Sequence, residues 1–296
     1  MNFSASSNYS GKQFAIFRIV FGSYLAWHFS ALVPYAEELF GVGGVLGGNS
    51  PFMGAWPNPL FIDGWHHLPV VLIVLGVVAA LAFTLGRLRH TSSIYLWYLS
   101  TCLFTANPLI ANPSIAYVGM LLLACTIIPL GEPFVLLKAG QADWKMPAMI
   151  PFTVWVLLAV GYTFSGILKL SSPSWIDGSA LRHVLENPLA RPNALREYTL
   201  SLPDGFLTTL TWGTLALEIL FLPLVLLRST RRWIWLAMLV MHFGIITVID
   251  FADLSLGMVM VHLFTFQYDW MPERWQLRWP TERQASERTP CTNRQR

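Results

Sequence analysis

The chain has 296 residues, of which 54% are hydrophobic and 12% charged, with a mean hydropathy of +0.52. Soluble domains carry about a quarter of their residues as charges, so this composition excludes an ordinary water-soluble core and points to a polytopic membrane protein. A net charge of +3 is ordinary for such a protein, and no nucleic-acid partner is expected; the lipid bilayer is.

Taken in order, residues 1–12 form an N-terminal segment with no basic stretch or small-residue cleavage site, which predicts an uncleaved first helix. A membrane domain over 13–268 follows, then a basic tail over 269–296. A crossing needs about 20 mainly apolar residues, and the fold class expected is an all-α helical bundle of about eight spans. The first covers 13–32 and leads into a long Gly/Pro-rich loop, 33–68. The second, LPVVLIVLGVVAALAFTLG, ends at Arg87, Arg89 and His90. The third (92–109) and fourth (114–130) are separated by ANPLIANPS, whose two Asn-Pro pairs mark a break.

A polar connection carrying Lys138 and Lys145 precedes the fifth span, 147–170, with Pro147 and Pro151 in its first turns where a missing N–H costs least. The second long loop, 171–205, has room for a short amphipathic helix at 179–186. The sixth, seventh and eighth spans are expected at 206–227, 233–249 and 254–268. Cys102, Cys125 and Cys291 are scattered, with neither metal spacing nor a disulfide framework, and no metal is expected.

Lys and Arg placement sets the orientation. With both termini cytoplasmic, the inner side collects Lys12, Arg87, Arg89, Lys138, Lys145, Arg228, Arg231, Arg232 and the tail arginines from Arg274. The outer side keeps Arg182, Arg191 and Arg196, with Lys169 at its boundary. Both long loops therefore face outward.

The stretch YTFSGILKLSSPSWIDGSAL, 162–181, holds the residues on which a function can hang. Tyr162, Ser165 and Lys169 share one helical face, a polar stripe running about 10 Å down from the lysine. Gly166 lets a neighbouring helix or a flat ligand come close. Lys169 reads either as a helix-end anchor snorkelling to the interface or as a base, because an amine held in apolar surroundings is kept neutral and can take a proton. Glu218 lies near mid-membrane, about 18 Å into its span, as a structural hydrogen-bonding group or a functional one. His242 and His262 fall at similar depth. Arg18 is expected to snorkel to the inner headgroups, and Asp253 to sit with Asp250 in a turn, solvated. Trp56, Trp65 and Trp175 read as an interfacial belt or as surfaces for a flat ring.

The pattern Y-x-x-x-G-x-x-K-L followed by W-x-x-G, here Tyr162, Gly166, Lys169, Leu170, Trp175 and Gly178, resembles the signature of the vitamin K-dependent gamma-carboxylase family and its bacterial relatives, the horizontally transferred transmembrane (HTTM) domain proteins. FRIVFG from Phe17, GVGGVL, LEILFLP from Leu217 and MHFGIITVID agree in order. The resemblance implies that Lys169 deprotonates a reduced quinone, with Glu218 and His242 in the supporting pocket; Tyr162, Ser165, Gly166, Trp175, Asp177 and Gly178 are the further residues expected to line or support it. It also implies a bacterial inner membrane. Asn112 is followed by Pro113 where the carboxylases have Asn-His, and this departure, with others early in the fifth helix, points away from protein carboxylation and toward a small or lipid substrate. Two functions stay open: a quinol-dependent enzyme of oxygenase, epoxidase or carboxylase type, and a non-catalytic module binding quinone, lipid or a partner protein. A transporter ranks last, since no paired broken helices recur in two halves.

Overall fold

Long apolar runs with few charges form helices because a helix satisfies its own backbone polar groups, and the chain is all-helical. The structure, a computed structural model, describes residues 9–46, 49–62, 64–136, 140–141 and 143–271. Lys138, the first eight residues, and the tail with Arg274 and Cys291 lie outside the described residues. Thirteen α-helices occur among the described residues: α1 Gly11–Leu32, α2 Ala36–Phe40, α3 Leu68–Thr84, α4 Arg89–Ala106, α5 Pro113–Ile127, α6 Met149–Lys169, α7 Pro173–Ile176, α8 Ala180–Glu186, α9 Ala194–Ser201, α10 Asp204–Ile219, α11 Phe221–Leu226, α12 Arg228–Val248 and α13 Ala252–Thr265.

Local chemistry fixes the ends. Ser10 Oγ accepts from the Gln13 N–H at 3.1 Å and starts α1. Both Asn-Pro pairs act as caps: Asn107 over a 3₁₀ turn, and Asn112, whose Oδ1 accepts from Ser114 N–H at 2.9 Å, over α5. Pro113 occupies the first turn of α5, where its lost donor is free of cost.

The helices α1, α3, α4, α5 and α13 close a ring, each packed on the next. A second group, α6, α10, α11 and α12, joins it through α13 and α6. The shortest of the expected spans is thus the central one: Ser255, Met258, Val261, His262 and Phe264 of α13 are all buried.

The polarity is inside out. Val71, Val78 and Leu81 of α3, Val160 and Phe164 of α6, and Val240 and Phe243 of α12 face outward, while Arg18, Arg89, Glu132, Glu218, His242 and His262 are buried. Such a continuous apolar exterior is compatible with lipid surroundings. Three helical stretches are long and apolar enough to cross a membrane, Gly11–Phe40, Met149–Lys169 and Arg228–Val248, and Leu68–Thr84, Pro113–Ile127 and Asp253–Thr265 are shorter apolar helices.

Three expectations need correction. Arg18 does not snorkel: it is fully buried, donates from Nη1 to the Phe83 carbonyl at 3.1 Å and from Nη2 to Phe134 at 2.8 Å, and lies 3.3 Å from Glu132. Arg89 approaches the same carboxylate at 3.0 Å. A long guanidinium can be buried here because carbonyls at the end of α3 and at Phe134 in the connection between α5 and α6, with one shared carboxylate, replace its water. The sixth span is not one helix, since α10 ends at Ile219 and α11 resumes at Phe221. Pro223 has no N–H to offer the Ile219 carbonyl, which breaks the ladder there. Segment 171–205 holds three short helices: α8, over the stretch where one was expected, and also α7 and α9.

Candidate functional site

The predicted stripe on α6 divides into two stations. At the C-terminal end of α6, the outer station of the expected topology, Lys169 Nζ forms an ion pair with Glu218 Oε2 of α10. Ser165 Oγ, one turn back, accepts from Lys169 Nζ at 3.2 Å and donates to the same Glu218 oxygen at 3.2 Å. The Trp175 ring of α7 covers the ammonium, with Nζ 4.9 Å from its centroid, an arrangement worth about 0.5–2 kcal/mol. The lysine is therefore not an isolated amine in an apolar wall: it has an acidic partner, with side chains 24% and 8% exposed for Lys169 and Glu218.

Two backbone features bring that pair together. Gly166 lies where an added Cβ would stand 2.8 Å from the Ile219 nitrogen and 3.0 Å from Glu218 Cβ, so α6 and α10 touch backbone to backbone. The α10–α11 break lies at Leu220, two residues beyond Glu218, and Thr163 of α6 fills it. Its hydroxyl reaches the Ile219 carbonyl at 3.2 Å and accepts from Leu222 N–H at 3.1 Å, substituting for the ladder lost to Pro223.

Deeper in the bundle, the Tyr162 hydroxyl lies 2.7 Å from His242 Nε2 and 2.9 Å from His262 Nε2, and its ring packs on Phe221. Tyr162 and His242 thus belong to a buried core station and not to the surface at Lys169. Asp177 also stands apart: it is exposed and accepts from Ser179 N–H and O–H at 2.9 and 2.6 Å, and these donors hold its carboxyl below the usual range. It shapes the turn after α7. Gly178, at φ +82°, completes that turn against Thr208.

A groove of about 450 Å³ opens to the surface over the outer station, lined by Pro113, Gly161, Phe164, Ser165, Leu168, Lys169, Ser172 and Trp175. Its walls are apolar and its floor carries one amine and hydroxyl groups, which suits a flat apolar body with a polar edge. Among the described residues no three His, Cys, Asp or Glu side chains gather as a metal-binding group.

Sequence reasoning missed a further polar cluster. Asp253, expected in a solvated turn, accepts from the Tyr24 hydroxyl at 2.6 Å and pairs with His28 Nδ1 at 2.9 Å. Tyr24 and His28 are one turn apart on α1, and that i,i+4 spacing was the available signal.

No family model, no curated protein and no solved structure matches the chain.

Proposed function

We propose that the chain is an eight-span membrane enzyme that binds a reduced quinone in the outer groove and uses Lys169, paired with Glu218, to take a proton from it. The eight spans are α1, α3, α4, α5, α6, α10 with α11, α12 and α13. An inner-membrane setting with both termini cytoplasmic is supported by Lys12, Arg87, Lys145, Arg228, Arg231 and Arg232, which all fall at one end of these helices.

One observation carries the reading: an amine with its own acidic partner lines a groove open at the protein surface. In this reading the ion-paired Lys169 passes its proton to the Glu218 carboxylate, which frees the amine. The amine then takes a proton from a ring hydroxyl and, as an ammonium, faces the negative oxygen left behind. Ser165 holds the lysine through both steps, and Trp175 offers a face to the ring. When bound, a reduced quinone supplies two electrons for chemistry with dioxygen. The sequence resemblance to the carboxylase-like family supports the same roles for Lys169 and its neighbours.

The test is oxidation of a panel of reduced naphthoquinones and benzoquinones under oxygen by the full chain in lipid nanodiscs. Wild type is expected to turn over at least one quinol, with Lys169→Ala slower by about 10²–10⁴-fold, the usual worth of a general base. Equal rates for both proteins, or none across the panel, would overturn the enzyme and leave a binding module.

A further inference from the structure

Asp253 opens α13 and reaches across to α1. Its Oδ1 accepts the Tyr24 hydroxyl at 2.6 Å and faces His28 Nδ1 at 2.9 Å, and Asn112 Nδ2 lies 3.5 Å from Oδ2. The carboxylate commits Nδ1 of His28 as a donor and fixes the ring, leaving Nε2 as the atom able to serve a ligand. This is the Asp–His arrangement that orients an imidazole. It stands beside a half-open cavity of about 290 Å³ bounded by α1, α4, α5 and the start of α13. His28 and Asp253 line that cavity along with Trp27, Leu103, Ile110 and Phe251.

We infer that this cavity is a second ligand site, distinct from the Lys169 groove, which takes a flat apolar molecule of one or two rings bearing a single hydroxyl directed at His28. Size sets the body: an aliphatic cavity of about 150 Å³ accepts benzene, and this one has about 290 Å³. Polarity sets the handle. The lining is apolar except for the Tyr24–His28–Asp253 cluster and the Ser100 and Ser114 hydroxyls, and Ser114 is already engaged with Asn112 Oδ1 at 2.6 Å. A hydroxyl can donate to a neutral imidazole nitrogen or accept from a protonated one, so it is satisfied in either state of His28. The two sites flank the start of α5, with Pro113 in the wall of one and Ser114 in the wall of the other.

The probe is 2-naphthol, measured by equilibrium dialysis against the full chain in nanodiscs with protein-free nanodiscs subtracted. Saturable binding is expected, weakened about tenfold by His28→Phe, the worth of one hydrogen bond. Ala31→Trp, which fills the cavity from α1, is expected to abolish it, and Lys169→Ala to leave it unchanged. Naphthalene, lacking the hydroxyl, is expected to bind about tenfold more weakly than 2-naphthol to wild type. Binding no greater than in empty nanodiscs, binding indifferent to both cavity variants, or binding lost with Lys169→Ala would each overturn the second site. The last result would assign the probe to the outer groove, and a catalytic failure at Lys169 leaves this measurement standing.

Discussion

Tyr162 owns one hydroxyl proton and faces two imidazole nitrogens, at 2.7 and 2.9 Å. It donates to one and accepts from the other, so His242 and His262 are held in opposite tautomers. Both Nδ1 atoms are buried without a hydrogen-bond partner among the described residues, which leaves the tyrosine as the anchor of the trio. Tyr162→Phe strands both Nε2 atoms and is expected to cost about 1–3 kcal/mol, read as a lowered midpoint in detergent unfolding; an unchanged midpoint would show the trio contributes nothing. Glu218→Gln tests the other station. It keeps the shape and the hydrogen bonds but removes the acceptor for the Lys169 proton, so quinol turnover should fall by about 10²-fold or more while the protein still purifies folded. A stability loss with full turnover would make the pair a structural lock. Ser165 and Lys169 were legible as one face from spacing alone, and Glu218 as an acid in an apolar run. Their meeting was not legible, because it depends on how α6 and α10 cross. Asp253 was misread for the same reason: Tyr24 and Asn112, which desolvate it, come from helices far away in the chain.

The element that positions the outer station is the α6–α10/α11 contact. Pro223 stood in the sequence as a helix breaker, yet the apolar run was long enough to read as one span; the structure divides it because a neighbour supplies the missing hydrogen bonds. Thr163 is that neighbour. Thr163→Val keeps the volume and removes the hydroxyl, leaving the Ile219 carbonyl and Leu222 N–H unpaired, at an expected cost of about 1–3 kcal/mol, whereas Thr163→Ser should be close to wild type. Chemical unfolding in mixed micelles distinguishes them, and equal losses in the two variants would remove the hydroxyl from the explanation. Gly166→Ala makes a sharper version of the same point. A methyl there meets backbone at 2.8 Å, so the helices must separate, and quinol turnover should drop although the substituted residue touches neither Lys169 nor the groove. Helix existence was readable from apolar runs throughout. The short helices of 171–205 were less so, because their stability comes from docking, as with α8 against α10.

At the scale of the whole molecule, charge is segregated by depth and by side. The end that the eight-span reading places on the cytoplasmic side is closed by Glu132 between Arg18 and Arg89, all nearly inaccessible, with the guanidinium groups also donating to carbonyls of Phe83, Phe134, Cys125 and Ile128. Glu132→Gln leaves two buried cations facing each other and is expected to cost about 3–5 kcal/mol, the penalty for an uncompensated buried charge; expression and thermal stability should collapse, and a mild effect would show that the carbonyls alone carry the load. Both proposed ligand sites lie toward the opposite end of the bundle. This polarity makes the topology testable by chemistry already in the chain. Cys102 and Cys125 are buried, and Cys291, outside the described residues, is the remaining thiol of the sequence. Ser201 is exposed at the end of α9, and three crossings, α10 with α11, α12 and α13, separate it from Cys291 in the eight-span arrangement. In intact cells a membrane-impermeant maleimide should label Ser201→Cys in a Cys291→Ser background and leave wild-type Cys291 unmodified until the cells are opened. Labelling of both positions from the same side would require an even number of crossings between them, and would overturn the eight-span arrangement together with the outward placement of Lys169.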